Sequence, residues 1–248
     1  MTFGWIYALR DRGLDRGVKI GRDKNKLHRV NTAQCYTPRG IDVIAFWQIP
    51  AGGRFASLAD AERVARAGLT RMPGPCAGVE WCDIPVQEAV PEVSKRLGLP
   101  PEILNQPLGP RATYDDFRNP KRVALHKERQ LLWVYQEAGT GILKVQRNNM
   151  WMTNLDRPRT YSALGFSVVD CYGMDVTEDY LQDNLAIHTL WESLVTRFGH
   201  GIDWPHVGWL RPEVSRDDIR GAALLAGLKT IDWRQGKPAG LREHDYRH

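Results

Sequence analysis

Several absences narrow the range of functions open to this chain. No apolar run in its 248 residues approaches the roughly 20 residues that a membrane-spanning helix requires, so we expect no membrane partner. The first residues lack the charged segment and apolar stretch of a secretory signal, which favours the cytoplasm. The sequence contains no P-loop, no G-x-G-x-x-G motif after a predicted strand and no nucleophile elbow. The common nucleotide-binding and serine-hydrolase motifs are therefore excluded.

Cysteine is scarce as well. The chain has four cysteines, and their spacing forms no C-x-x-C pair and no common zinc-binding pattern. We therefore predict reduced, mostly buried thiols, as is typical of cytosolic proteins. The four are Cys35, Cys76, Cys82 and Cys171.

Positive charge and tryptophan are what the chain has in excess. Its formal net charge is +5, and it contains nine tryptophans. A basic balance gives a mild electrostatic preference for polyanions. The tryptophans fit a role as core anchors, while exposed ones could stack on nucleic acid bases.

A polar hairpin near the start of the chain is its most informative segment. Residues 5–9 are rich in β-formers, residues 17–21 form a short glycine-bounded strand, and Gly13 lies in the turn between them. Successive side chains of a strand point to opposite faces, so Tyr7 points away from the face of its two neighbours. We predict that Tyr7 and Lys19 point into an active site.

Periodicity and capping patterns predict an α+β chain in two domains. Residues 1–98 form the first domain, the proline-rich residues 99–120 form a linker, and residues 121–248 form an α+β domain that could bind DNA or a partner. In the first domain the predicted strands are 5–9, 17–21, 41–49 and 79–84, and the predicted helices are 24–33, 58–69 and 85–98. In the second domain the predicted β segments are 131–135, 141–146, 148–154 and 161–169, and the predicted helices are 177–198 and 219–228. We interpret His188, on the longer helix, as a core histidine.

Five short motifs along the first domain resemble those of one nuclease family. They are W-I-Y at residues 5–7, K-I-G at residues 19–21, Arg29 on the first helix, Glu62 on the second, and E-W-C at residues 80–82. In this order and spacing they resemble the GIY-YIG nuclease superfamily, in particular its T5orf172-like branch, whose second motif begins with lysine.

The resemblance covers about residues 3–84 and implies both a fold and an activity. It implies a small β-β-α-β-α-β domain with a mixed sheet flanked by helices. It also implies a divalent-metal-dependent endonuclease with Tyr7, Lys19, Arg29 and Glu62 as its catalytic residues. The residue types suit this chemistry, because a carboxylate such as Glu62 can bind Mg²⁺ or Mn²⁺ and an arginine fork can bind the scissile phosphate.

The role of Lys19 has three alternatives at this stage. A phenol of pKa about 10 is a poor base at neutral pH unless a nearby cation lowers that value. Tyr7 activates water by analogy with its counterpart in the family, and Lys19 could supply the required cation. Lys19 could instead be the base itself, or it could hold the phosphate.

Nucleic acid, with double-stranded DNA favoured, is the expected partner. One domain provides one such site, so a double-strand break would need a homodimer, two binding events or sequential nicks. The candidate DNA contacts outside the catalytic set are Arg22, Lys24, His28, Lys121, Arg122 and Lys127.

A second hypothesis is a nucleic-acid-binding or interaction module that has lost cleavage. Two departures from the family pattern support it: Arg66 stands where many members have histidine, and Cys82 replaces the closing phenylalanine.

Overall fold

The computed structural model describes most of the chain as two compact units. The N-terminal unit comprises Met1–Arg111 with Pro158–Gly165, and the C-terminal unit comprises Ala112–Arg157 with Phe166–His248. The fold is α+β, with two antiparallel sheets and, in the described part of the chain, four helices. The described residues are 2–26, 37–73, 80–107, 130–148, 150–151, 163–174, 180–199, 208–232 and 242–243.

The N-terminal unit is built on one five-stranded antiparallel sheet with the strand order β4-β2-β1-β3-β5. Its strands are β1 (Thr2–Asp11), β2 (Arg16–Asp23), β3 (Ile41–Pro50), β4 (Trp81–Pro85) and β5 (Glu102–Pro107). Its two described helices are α1 (Leu58–Arg66) and α2 (Val86–Leu97).

The strand alternation predicted for β1 is confirmed by the two clusters that its side chains join. Ile6 and Ala8 pack with side chains of α1 and α2 on one face of the sheet. Tyr7 and Leu9 pack on the other face with Trp81 and neighbouring side chains of β3. Both faces of the sheet are therefore buried, which explains why β3 is almost continuously apolar.

The helix boundaries follow from local capping. The Ser57 hydroxyl accepts a hydrogen bond from the backbone N–H of Asp60 at 3.1 Å, as the predicted N-cap requires. The helix ends at Arg66, three residues before the predicted end, because Ala67 is extended and Gly68 takes a left-handed φ of 72°. Gly98, with φ of 59°, terminates α2 in the way that a C-terminal glycine is expected to.

The predicted linker is wrong over six of its residues. Residues 102–107 form β5, which pairs with β3 and extends the first sheet. The predicted helix at residues 24–33 lies outside the described residues, apart from its first three positions.

The C-terminal unit contains a four-stranded antiparallel sheet with the order β10-β9-β6-β7. The predicted strand pair, residues 131–135 with 141–146, is confirmed at one side of this sheet. Its strands are β6 (Leu131–Glu137), β7 (Leu143–Asn148), β9 (Phe166–Gly173) and β10 (Lys229–Thr230), and a separate parallel pair consists of β8 (Met150–Trp151) and β11 (Arg242–Glu243).

Two helices accompany this sheet. They are α3 (Tyr180–Phe198) and α4 (Arg216–Leu225), and α3 shares a buried apolar cluster with β6 and β7. Ser215 and Asp218 form a reciprocal capping box at the start of α4. Among the described residues, no helix is long and apolar enough to span a bilayer.

Candidate active site in the N-terminal unit

The register of the β1–β2 hairpin places Tyr7 and Lys19 on the same face of the sheet. Tyr7 pairs with Gly21, and Lys19 pairs with Leu9, two residues further along β1. Such diagonal neighbours lie within reach of long side chains. Both are buried, with Tyr7 exposed by 4% and Lys19 by 3%.

The glycine of the K-I-G motif has a clear steric role. A Cβ atom added at Gly21 would overlap with the hydroxyl oxygen of Tyr7 and lie 2.5 Å from the nearest carbon of its ring. No side chain fits there while Tyr7 keeps its position. The tyrosine ring therefore lies directly over Gly21, and the second motif holds the first motif's side chain in place.

Glu80 is a site residue that the sequence analysis placed in the closing motif without giving it a role. Its carboxylate forms an ion pair with the Lys19 ammonium, whose side chain is 4% exposed against 34% for Glu80. The backbone carbonyl of Glu80 also accepts a hydrogen bond from the Ile20 N–H at 3.2 Å. The signal in the sequence was the position of Glu80 in the closing motif, one residue before β4.

The carboxylate of Glu62 approaches from α1, on the other face of the sheet. Its oxygens lie 3.3 Å from Arg22 Nε and 3.7 Å from Arg66 Nη2. Burial raises the pKa of Glu62. The positive charges of Arg66, Arg22 and Lys19 oppose that rise, and the negative charge of Glu80 adds to it. Five charged side chains from both faces therefore share one electrostatic environment.

Strand β4 pairs with only the first part of β2, and this explains how Glu62 on one face can interact with Lys19 and Glu80 on the other. The pairing of β2 with β4 runs from Arg16 to Lys19, with one further hydrogen bond from Ile20. Residues 21–23 extend past the end of β4. Arg22 lies on this stretch beside Glu62, and Lys19 reaches Glu80 where β4 begins.

The remaining predicted residues divide into described and undescribed sets. Arg22, a predicted DNA contact, pairs with Glu62, while Lys24 is exposed at the end of β2. Lys26, which was not predicted, lies 4.8 Å above the centre of the Trp5 ring and pairs with Glu102 of β5. Arg29, His28, Lys121, Arg122 and Lys127 lie outside the described residues.

The turn end of the hairpin is fixed by a second group of ion pairs. Asp11 is fully buried and accepts hydrogen bonds from Arg39 Nε at 2.8 Å, Arg39 Nη2 at 2.6 Å and the Thr37 hydroxyl at 2.7 Å. Asp42 on β3 binds both Arg10 and Arg12. These contacts anchor the hairpin that positions Tyr7 and Lys19.

The donor set near Glu62 fits Mg²⁺ or Mn²⁺ only as a minimal site. Among the described residues, no group of three histidine, cysteine, aspartate or glutamate side chains converges. Glu80 is paired with Lys19, so of the two carboxylates described here Glu62 is the one that can bind a metal ion. Mg²⁺ accepts such a site, because it keeps most of its waters and is often bound by one or two carboxylates together with substrate phosphate.

Comparisons with protein-family models, with curated proteins and with solved structures found no match to this chain.

Proposed function

We propose that the N-terminal unit is a GIY-YIG-type endonuclease of the T5orf172-like branch, which hydrolyses phosphodiester bonds in DNA with a divalent metal ion. The observation that supports this most is that side chains of all three motifs contact β2. The Tyr7 ring lies over Gly21, and Lys19 lies on the same face of the sheet and pairs with Glu80. Glu62 lies on the other face beside Arg22, and the charge of Lys19 acts on its pKa. A base, a cation and a metal-binding carboxylate are the groups that phosphodiester hydrolysis needs, and these side chains are of those types.

In this proposal Tyr7 is the general base and Lys19 is the cation that supports it. The ion pair with Glu80 occupies the Lys19 ammonium, which favours the supporting role over the role of base. A cation beside a phenol favours the phenolate, which can then accept a proton from water. Arg29 binds the scissile phosphate in this proposal, on the strength of the sequence motif alone.

Glu62 would hold the metal ion. The bound ion would neutralise charge on the phosphate, which is the main electrostatic requirement of the reaction. The contacts of Glu62 with Arg22 and Arg66, at 3.3 and 3.7 Å, are longer than a strong charge-assisted hydrogen bond, so the carboxylate can exchange them for a metal ion.

The fold supports the same proposal at a coarser level. The described elements follow the order β-β, then β-α-β-α, around one sheet with β1 between β2 and β3. The C-terminal unit would then supply target binding, and a homodimer would provide two sites for a double-strand break.

One observation favours the alternative of a binding module without cleavage. Each oxygen of Glu62 faces an arginine, Arg22 on one side and Arg66 on the other. Two fixed positive charges oppose the binding of a metal ion at the same carboxylate. If this effect dominates, the chain binds nucleic acid and does not cut it.

A plasmid-cleavage assay with Mg²⁺ or Mn²⁺ tests the proposal. We expect the wild type to nick or cut DNA, and Tyr7→Phe and Glu62→Gln each to reduce the rate by about 10²–10⁴-fold, the range for loss of a general base. Glu92→Gln is the matched control, because Glu92 and Arg96 form a similar i, i+4 pair at 2.8 Å on α2, away from the site.

A gel-shift series over a range of salt concentrations separates the two hypotheses. DNA binding that weakens with salt, with no cleavage of any substrate, would establish the binding module. Cleavage that survives Tyr7→Phe and Glu62→Gln would refute the proposed site.

A further inference from the structure

The C-terminal unit contains a buried polar cluster that the proposed nuclease site does not use. We call it the Arg147 cluster. Arg147 lies on β7, and Gln130 directly precedes β6. His188, Trp191 and Glu192 come from α3.

The guanidinium of Arg147 is half-buried, and it forms no ion pair with any described residue. Its Nη1 atom donates a hydrogen bond to Gln130 Oε1 at 3.4 Å, and its central carbon lies 5.1 Å from the centre of the Trp191 ring. Burial lowers the pKa of Arg147 to about 10, and the charge of Glu192 only partly opposes this. Glu192 contacts His188 Nε2 at 4.0 Å, and within the described ranges no carboxylate oxygen lies within 4.0 Å of Arg147.

His188 is a second unsatisfied group in the same cluster. It is 6% exposed, its ring stacks on Trp191 with an interplanar angle of 18°, and its buried Nδ1 atom has no hydrogen-bond partner among the described residues. Burial lowers the pKa of His188, and the charge of Arg147 lowers it further. The prediction of a core histidine is confirmed for its burial, but not for the satisfaction of both ring nitrogens.

A half-buried charge with no ion pair among the described residues is costly to a fold, so its presence calls for an explanation. Natural proteins break such local rules mainly at functional sites. Arg147 has five N–H donors in a planar fork, and a single hydrogen bond to a protein acceptor uses one of them. The Nε2 donor of Gln130 makes no hydrogen bond to any described residue, and it belongs to the amide that touches Arg147.

We infer that Arg147 and Gln130 bind a phosphate-type oxyanion in the C-terminal unit. The guanidinium fork would donate to two oxygens, the Gln130 amide to a third, and the stacking of Arg147 on Trp191 would fix the plane of the fork. A tetrahedral oxyanion with several acceptor oxygens uses these donors better than a carboxylate does. Glu192 is the carboxylate of this cluster, and it contacts His188 without forming an ion pair with Arg147. This inference is independent of the nuclease proposal.

Two sources offer the same chemistry: the phosphate group of a small molecule, free or terminal, and the phosphodiester backbone of a nucleic acid. The test uses the full chain and measures its melting temperature against inorganic phosphate at constant ionic strength, with chloride as the comparison ion. We expect phosphate to raise the melting temperature of the wild type. Arg147→Gln should weaken the apparent affinity by about tenfold or more, as expected for the loss of a bidentate charged contact.

Arg197→Gln is the matched control, because the Arg197 guanidinium also lies over an aromatic ring, 5.0 Å from Phe198, but is exposed. It should respond to phosphate as the wild type does. Arg147→Lys, which keeps the charge and loses the fork, should bind more weakly than the wild type. Without phosphate, Arg147→Gln should melt at or above the wild-type temperature, whereas the loss of a merely structural arginine would lower it.

Two further titrations identify the source. A phosphomonoester that binds while a DNA duplex does not compete assigns the site to a small-molecule phosphate. A duplex that displaces inorganic phosphate, and whose own binding weakens in Arg147→Gln, assigns it to the nucleic acid backbone. The inference fails if phosphate and chloride act alike on the wild type, or if Arg147→Gln keeps the full response. Gln130→Ala, expected to weaken phosphate binding, provides a second variant if Arg147→Gln does not fold.

Discussion

Asp11 and Lys19 in the N-terminal unit and Arg147 in the C-terminal unit differ in how their charges are balanced. In the N-terminal unit Asp11 is surrounded by Arg39 and Thr37, and Lys19 is paired with Glu80. In the C-terminal unit Arg147 is half-buried against Trp191, with no carboxylate oxygen within 4.0 Å in the described part of the chain. The charges of Asp11 and Lys19 are paired within the protein, whereas Arg147 has no ion-pair partner among the described residues.

A charge that is paired within the protein stabilises the fold, whereas a charge without a partner in the protein is available to bind a ligand. Removal of one member of a complete buried pair leaves the other uncompensated, which is strongly destabilising. Removal of a charge that has no partner should cost little or should stabilise the fold. Mutations of Asp11 and of Arg147 should therefore change the free energy of unfolding in opposite directions, although each removes a charged group.

The largest effect is expected at Asp11. Asp11→Ala leaves Arg39 without its carboxylate and Thr37 without its acceptor, and we expect a loss of about 3–5 kcal/mol in the free energy of unfolding. Urea denaturation measures it. Asp83→Ala is the control, because Asp83 forms an exposed ion pair with Arg16 and its loss should be too small to resolve. Equal effects of the two substitutions would contradict the role assigned to the buried pair.

An intermediate effect is expected at the Lys19–Glu80 pair. Glu80→Gln should lower the free energy of unfolding by about 1–3 kcal/mol, because the Lys19 ammonium loses its charged partner while remaining buried. Under the proposed function, cleavage should fall through kcat, because Glu80 would act by orienting Lys19. The double variant Lys19→Met with Glu80→Gln should be more stable than the sum of the single losses predicts. If the loss in the double variant equals the sum of the two single losses, the ion pair contributes nothing to the free energy of unfolding.

Local contacts in the N-terminal unit could be predicted from the sequence, and distant ones could not. The spacing of Glu62 and Arg66 predicts a contact across one helical turn, which is present at 3.7 Å. The cap at Ser57 was predicted in the same way. Glu80 and Lys19 are 61 residues apart, and their pairing depends on the position of β4 beside β2, which no local pattern encodes.

Two features were missed because pairing and burial are properties of the whole fold. Residues 102–107 lie in a proline-rich segment with little periodicity, and they become β5 only because the edge of β3 offers backbone partners. Arg147 stands in a strand with the alternation of any half-exposed β-strand. The packing of α3, and of Trp191 in particular, is what buries its guanidinium.

The smallest effect is expected in the pH dependence of stability at His188. Its pKa in the folded protein is lowered by burial and by Arg147, so the unfolded chain binds a proton first as the pH falls. Stability contributed by neutral His188 should be complete above the ordinary histidine pKa of about 6.5 and should decline as the pH falls below it. The charge of Glu192, on the same helix, opposes this decline only in part, while Arg147 from β7 reinforces it. Melting temperatures measured across this range should show a shallower decline in Arg147→Gln than in the wild type, because one cause of the lowered pKa is then gone. An unchanged slope would mean that burial alone sets the pKa of His188 and that the two side chains are not coupled.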